Sequence, residues 1–197
     1  MTLVDTYLAG LRAALPDNDN AALAAATGAT PVQLDALRAV YPQCPASLIE
    51  LLGKLDGTYR RDYDGTTVKV LVLGSDVYEY PYYLLSAAQM LEKGAKYRDS
   101  IEEMYGDDAN DDGELVDPRI DIVLPLGRRL CFSHCVNNGG TSQLYIDFDP
   151  APGGKVGQVV RYLHDPDNYA VIADDFDGYL RKLIDGGYAF VIDVDEA

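Results

Sequence analysis

The sequence predicts an α+β fold, with a twisted, mainly antiparallel central sheet and flanking helices. Helical periodicity dominates residues 3–57, and four short strand-like segments follow between residues 119 and 164. A helical segment and an apolar segment then complete the chain. Because the strand-like segments follow one another directly instead of alternating with helices, antiparallel pairing is favoured over a parallel βαβ arrangement.

The helices are predicted from apolar spacing and from residues that begin or end helices. Apolar residues recur every three or four positions over 3–15, 31–41 and 46–55. Thr30 with Gln33, and Ser86 with Gln89, have the spacing of capping boxes. Pro45 is expected to open one helix, and Gly57 to end it in a left-handed conformation.

The strands are predicted from β-branched and alternating apolar residues between turn residues. The predicted strand segments are "TTVKVLVLG", "RIDIVLPLG", "RLCFSHCV", "SQLYIDFD", "VGQVVRYLH" and, last, "YAFVIDV". The segment "DDFDGYLRKLID", followed by Gly186 and Gly187, is predicted to be the helix before the last strand.

Length and composition predict one soluble domain. The chain has 197 residues, of which 48% are hydrophobic and 24% charged. No apolar run approaches the roughly 20 residues of a membrane-spanning helix. The N-terminus carries Asp5 and no basic region, so no signal peptide is expected. Three cysteines do not form a disulfide framework, and a reducing cytoplasm is therefore the expected setting.

Charge is the most informative property of the composition. The chain has 32 acidic and 16 basic side chains, a net charge of −16 and a pI near 4.3. Such a field repels nucleic acid and anionic membranes and attracts basic partners. We therefore expect neither nucleic acid nor membrane as a partner. The acids indicate either a basic protein partner or a general contribution to solubility.

The most acidic segment does not predict a metal site. Ten acids and one Arg lie between residues 99 and 121, and residues 107–117 are expected to form an exposed loop. Asp108, Asn110, Asp112 and Gly113 match the first half of a calcium-binding EF-hand loop, but Arg119 stands where that loop needs a bidentate Glu. A solvated acidic loop is the better interpretation.

The segment "CFSHC" does not predict zinc. Strand alternation places Cys131 and Cys135 on one face and His134 on the other, so three ligands would not converge on one ion. Buried cysteines and an exposed His134 are expected.

The sequence contains no recognisable catalytic motif. His134 and His164 are the chain's two histidines, and neither lies in a recognisable nucleophile context. The segment "PGGKVG" lacks the Ser or Thr and the following helix of a phosphate-binding loop. We therefore expect no enzyme, no cofactor and no metal.

Tyrosines interleaved with acids indicate where a partner could bind. The segments "TYRRDYDG" and "VYEYPYYL" hold six of the fifteen tyrosines. Tyrosine is favoured at interfaces, although in a chain without Trp it can also serve as the half-buried aromatic of a sheet. The candidate partner-binding residues are Tyr59, Asp62, Tyr63, Asp64, Tyr78, Glu79, Tyr80, Asp107, Asp108, Asp111 and Asp112.

The segment "YIDFDPAPGGKVGQVV" contains an acid pair that resembles a catalytic or metal-binding motif. Alternation places Ile146 and Phe148 towards the core, and Asp147 on the outer side of the strand. Asp149 before Pro150 is suited to capping a turn. We interpret the segment as a hairpin in which Asp147 holds the turn or contacts a partner.

Two segments together resemble the SUKH superfamily, a group named in part for a yeast cell-wall synthesis regulator. The first, residues 28–57, has two short helices joined through Pro45 and ending in Asp56–Gly57. The second, residues 144–184, has a strand ending in Asp, a Pro/Gly turn, a "GQV" strand and a closing helix. The positions that match the family pattern are Gly57, Asp147, Gly157, Val159, Ala173 and Phe176.

The resemblance implies one SUKH-like domain over residues 1–197. Residues 1–27 are expected to be an N-terminal helical extension and about 94–119 an acidic insertion, and the chain lacks the Trp that the family often carries. Many bacterial members are immunity proteins that neutralise toxins, often nucleases, by binding them. The resemblance therefore implies a cytoplasmic immunity protein with a basic toxin domain as its partner; the alternative is an interaction or scaffold module without a toxin partner.

Overall fold

The computed structural model describes residues 1–110, 115–137 and 139–191. Within these ranges, helices flank an open antiparallel sheet, which confirms the predicted α+β class. The helices are α1 (Leu3–Ala14), α2 (Asp17–Leu23), α3 (Pro31–Val40), α4 (Ala46–Lys54), α5 (Ala87–Lys96), α6 (Ile101–Tyr105) and α7 (Phe176–Asp185). The strands are β1 (Arg61–Tyr63), β2 (Thr66–Val68), β3 (Tyr83–Leu84), β4 (Leu130–Cys131), β5 (Ser133–Asn137), β6 (Gly140–Asp147), β7 (Gln158–Leu163) and β8 (Asn168–Ala173).

The main sheet has six strands, in the order β3-β5-β6-β7-β8, with β4 also paired to β6. All its strand pairs are antiparallel. Strands β4 and β5 are separated by Phe132 alone, and both pair with the long strand β6. Strands β1 and β2 form a separate hairpin. Because β6 is the central strand, the side chains on its two faces pack into the two layers of the core.

Both faces of β6 are covered. On one face, Phe132 packs edge-on against Phe176 and Tyr179 of α7, with ring centroids 5.4 and 5.7 Å apart. On the other face, Gln143 donates a hydrogen bond at 2.8 Å to the hydroxyl of Tyr97, which follows α5. Residues Ser142 to Asp147 are consequently all buried, although their side chains alternate between faces.

The N-terminal helix is part of the core. Val4, Tyr7 and Leu11 of α1 are buried, and α1 packs against α4 and α7. The hydroxyl of Tyr7 donates to the carbonyl of Val72, and the hydroxyl of Tyr188 donates to the carbonyl of Tyr7 at 2.9 Å. These contacts attach α1 to Val72, which follows β2, and to Tyr188, which follows α7.

Helix starts follow the sequence closely. The capping boxes at Thr30 and Ser86 are present as predicted. Further capping boxes begin α1 at Thr2 and α6 at Ser100, where the sequence analysis made no prediction. The short helix α2 was also not predicted.

One predicted strand is absent. The segment "RIDIVLPLG" forms turns and a 3₁₀ segment at Leu126–Arg128 instead of a strand. Asp117 accepts a hydrogen bond from the backbone N–H of Arg119 at 3.0 Å, and Asp121 does the same for Val123 at 3.0 Å. These local turns compete with an extended backbone, because short acidic side chains bond the main chain two residues on.

Other strand predictions were correct only in part. "TTVKVLVLG" forms a strand at Thr66–Val68 alone, whereas β8 was not predicted. Residues 188–191 of the predicted last strand are not extended in a sheet, and its remaining residues lie outside the described ranges. The segments "RLCFSHCV", "SQLYIDFD" and "VGQVVRYLH" do contribute strands β4 to β7.

Gly57 has a different role from the predicted helix end. Helix α4 ends at Lys54, and Gly57 follows with a φ of +89°. A Cβ at this position would lie 2.5 Å from the backbone nitrogen of Ser86. The preceding Asp56 is buried and accepts a hydrogen bond from the backbone N–H of Ala87 at 2.9 Å. The Asp56–Gly57 pair therefore joins the helical half of the chain to the start of α5.

Replacing Gly57 by Ala is expected to lower the free energy of unfolding by about 2 kcal/mol or more, because a left-handed L-residue costs about 1–2 kcal/mol and the clash adds to it. Gly65 has a similar φ of +88° with no atom within 4 Å of an added Cβ, so Gly65→Ala is the matched control. Urea denaturation followed by circular dichroism measures both. Equal losses for the two variants would contradict the steric argument.

Candidate interaction surface

Asp147 is buried, contrary to the prediction that it lies on the outer side of its strand. The side chain is 0% exposed, and its Oδ1 lies 3.3 Å from Nε of Arg129, which is 1% exposed. The alternation itself is correct, but the face that Asp147 shares with Tyr145 is covered by other parts of the chain. Asp147 is therefore unavailable to a partner.

The carboxylate and the backbone carbonyl of Asp147 hold the turn between β6 and β7. Its carboxylate accepts hydrogen bonds from the side chain of Gln158 at 3.1 Å and from the backbone N–H of Asp149 at 3.3 Å. Its carbonyl accepts from the N–H of Gly157 at 2.7 Å, where φ is +90°. The acid pair is thus one arm of a β6–β7 hairpin, and Asp149 forms a half-exposed ion pair with Arg128.

Replacing Asp147 by Asn should lower the free energy of unfolding by about 3–5 kcal/mol, because Arg129 would remain buried without a counter-charge. The double variant Arg129→Met/Asp147→Leu should lose less than this single variant, since it buries no unpaired charge. Asp149→Asn, which alters an exposed pair, should lose less than about 1 kcal/mol. Urea denaturation measures all three, and an Asp147→Asn loss no larger than that of Asp149→Asn would refute the argument.

His134 is also buried, contrary to the prediction of an exposed histidine. It is 7% exposed, and its ring lies 4.0 Å from the ring of Tyr59 between centroids. Burial, together with a smaller effect of the nearby cations Lys93 and Arg60, lowers its pKa to about 4. His134 is therefore neutral at physiological pH.

The cysteines are poor nucleophiles. Cys131 and Cys135 are buried as predicted, and all three cysteines are free thiols. Burial raises the pKa of Cys131 and of Cys135 to about 11, and that of Cys44 to about 12. Because the thiolate is the reactive form, these side chains are inert at neutral pH.

Metal-ligating clusters do not occur in the part of the chain that the structure describes: no group of three or more His, Cys, Asp or Glu side chains there is placed to hold an ion. Asp108 lies in an exposed 3₁₀ segment, Gly106–Asn110. Asp112 and Gly113 of the partial EF-hand pattern lie outside the described residues.

Part of the tyrosine-rich sequence lines two adjacent grooves that share Tyr59. The first, the Tyr59 groove, has a volume of about 390 Å³ and is lined by Tyr59, Arg60, Lys69, Leu71, Glu79, Tyr80, Pro81, Tyr83, Cys135 and Val136. The second, the α5 groove, has a volume of about 260 Å³ and is lined by Tyr59, Leu85, Gln89, Glu92, Lys93, Lys96 and Tyr97. The two grooves lie on either side of the half-buried Tyr59 ring.

The sheet edge holds this surface in place. The backbone N–H of Tyr59 donates to the carbonyl of Leu84 in β3 at 3.2 Å, and Tyr83 pairs with His134 of β5. The rings of Tyr59 and Tyr83 lie 5.5 Å apart. Gln89 of α5 donates to the carbonyl of Tyr59 at 3.1 Å. The aromatic rings are therefore fixed by regular elements on both sides.

The structure brings only some of the predicted partner-binding residues together. Tyr59, Glu79 and Tyr80 line the Tyr59 groove. Asp62, Tyr63 and Asp64 lie on the β1–β2 hairpin that follows Tyr59, with both acids exposed and the hydroxyl of Tyr63 bonded to the carbonyl of Gly57.

The remaining predicted residues lie elsewhere. Tyr78, 56% exposed, lines a different groove of about 450 Å³ with residues of α7. Asp107 and Asp108 are exposed after α6 and line neither of the grooves beside Tyr59. Asp111 and Asp112 lie outside the described residues.

The basic side chains of these grooves were not predicted. Arg60, Lys69 and Lys93 line the grooves, whereas the predicted contact residues are all acids and tyrosines. The segment "TYRRDYDG" displays Arg60 beside Tyr59, and this dipeptide was the available signal. Lys93 and His134 come from distant segments, so nothing in the local sequence could connect them.

Comparison with known families assigns the chain to a family. The profile of the SMI1 / KNR4 family (SUKH-1) matches residues 28–182. That range contains residues 28–57, all but the last two residues of the segment 144–184, the whole main sheet and the grooves beside Tyr59. No curated protein matches the chain. In the described ranges, no helix has the length and apolar character needed to cross a membrane.

The fold and the grooves thus define an α+β domain with a structured aromatic surface at one sheet edge. The chain belongs to the SMI1 / KNR4 family (SUKH-1).

The buried His134 gives a pH dependence that can be measured. Because its pKa is lower in the folded protein than in the unfolded chain, the unfolded state binds the proton more tightly, and stability falls as pH decreases from about 6.5 towards 4. Replacing His134 by Phe should remove the part of this loss of stability that His134 causes. Urea midpoints at a series of pH values, with His164→Gln as control, test this, and an NMR titration of His134 near 6.5 would contradict it.

Proposed function

We propose that the protein is a cytoplasmic immunity protein that neutralises a bacterial toxin by binding it directly, without catalysing a reaction. Membership of the SUKH-1 family is the observation that carries this proposal. The immunity function is the one that the family resemblance implies for bacterial members. The proposed partner is a basic toxin domain, such as a nuclease.

The net charge of −16 supports a basic partner. Complementary fields raise the rate of association and penalise partners of the wrong sign. A nuclease that binds the phosphates of nucleic acid carries a positive surface, to which an acidic protein is complementary. The same charge opposes binding of the nuclease's own substrate by the immunity protein.

The states of His134 and of the three cysteines support binding without catalysis. Burial lowers the pKa of His134 to about 4 and raises the pKa values of the three thiols. These shifts run opposite to what a general base or a thiolate nucleophile requires near neutral pH. The surface beside Tyr59 instead presents aromatic rings fixed on a sheet edge, which suits recognition of another protein.

The proposal predicts a toxin gene beside the gene for this protein, and that toxin is the one used in the test. Co-expression of the two proteins is expected to restore the growth of cells that the toxin alone inhibits, and the two proteins are expected to co-purify, because neutralisation is by direct binding. A catalytically inactive toxin variant is the control, since it should co-purify without affecting growth. Absence of both rescue and complex would refute the proposed function.

A further inference from the structure

Three cations beside Tyr59 lack a carboxylate partner. Arg60, Lys69 and Lys93 form no ion pair with any described residue, although the chain has twice as many acids as bases. Arg60 and Lys69 are exposed, and Lys93 is half-buried. Their ring contacts and hydrogen bonds are to neutral groups: Arg60 lies over the ring of Tyr59, and Lys93 donates to the hydroxyl of Tyr97 at 3.0 Å. We call these three residues the basic triplet.

The base of this surface adds no negative charge. His134 lies under Tyr59, and its Nδ1 is buried with no hydrogen-bond partner among the described residues. Lys93 and Arg60, which line different grooves, both lower the pKa of His134. The positive potential of the triplet is therefore not cancelled from below.

The acids nearest to the triplet do not neutralise it. Glu92 of the α5 groove is paired with Lys96 at 2.5 Å. Glu79 is the one carboxylate among the residues lining the Tyr59 groove, which also holds Arg60 and Lys69. Arg61, the neighbour of Arg60, pairs with the buried Asp56 at 3.1 Å and stays out of the triplet. The two grooves thus carry a net positive charge on a strongly acidic protein.

We propose that the grooves on either side of Tyr59 bind an acidic, extended segment of a protein partner. Carboxylates of the segment pair with the basic triplet, and its apolar side chains pack on Tyr59, Tyr83 and the 67%-exposed Val136. Free cations beside fixed aromatic rings provide the charge and apolar contacts that such a segment needs. The proposal goes beyond toxin neutralisation, because it holds for any partner that presents this segment.

The overall charge favours a short acidic segment over nucleic acid. A nucleic acid strand carries a charge on every phosphate and extends beyond the triplet, where the field of a protein with a net charge of −16 repels it. A few carboxylates contact only the triplet, and the rest of a folded partner can carry the opposite sign. Recognition of an acidic segment is therefore compatible with a partner that is basic overall.

The proposal is tested by fluorescence polarisation with a labelled short peptide of alternating Glu and Tyr. The full-length protein is expected to bind it, with affinity that falls as sodium chloride is raised. Replacing the triplet (Arg60→Gln, Lys69→Gln, Lys93→Gln) should weaken binding about tenfold or more, since three charge pairs with the peptide are lost. The control variant Arg12→Gln/Arg38→Gln/Arg181→Gln, with the same change in net charge, should bind as the wild type does.

Circular dichroism establishes that both variants are folded, which is expected because the replaced side chains lie at the surface or at a groove. Any one of several results would overturn the proposal: no binding of the Glu/Tyr peptide, equal binding by the triplet variant, or equal binding of a Lys/Tyr peptide. Tighter binding of an oligothymidylate that depends on the triplet would overturn it in favour of nucleic acid. A failed toxin rescue with intact peptide binding would refute the proposed function alone.

Discussion

The buried contact between Arg129 and Asp147 links the β6–β7 hairpin to the segment that precedes β4. Asp147 ends β6 and holds the hairpin to β7 through Gln158. Arg129 precedes β4 and donates to the carbonyl of Asp121 at 2.5 Å, so the segment that covers the sheet is attached to the same pair. Neither charge is exposed, and each therefore depends on the other to offset its desolvation.

The hydrogen bonds of Tyr97 help to hold the surface beside Tyr59 in place. Tyr97 follows α5 and accepts hydrogen bonds from both Gln143 of β6 and Lys93 of α5. The α5 helix is thereby fixed between the covered face of the sheet and the groove that it lines. A prearranged surface loses less conformational entropy on binding, which favours affinity. In the proposed binding of a partner, the acidic field governs encounter over long distances, and the grooves contribute contacts at short range.

Most of the fold was predictable where the signal is local. Capping boxes at Thr30 and Ser86 are present because the side chain and the backbone N–H that it accepts are three residues apart. "RIDIVLPLG" was predicted wrongly because its apolar residues are typical of a strand, whereas Asp117 and Asp121 accept hydrogen bonds from the backbone N–H groups two residues on. The candidate surface was predicted only through Tyr59, Glu79 and Tyr80; the basic triplet and His134 meet across several segments and give no local signal.

The sequence alone was enough to predict the α+β class, the starts of α3, α4 and α5, the β6–β7 hairpin and the family. It also determined which residues of β6 share a face, because alternation is a property of any extended chain. The covering of both faces of β6 is visible only in the tertiary structure. The same holds for the burial of Asp147 and His134 and for the exposure of Arg60 and Lys69. Burial depends on what packs over a face, and here the covering residues come from distant positions in the chain.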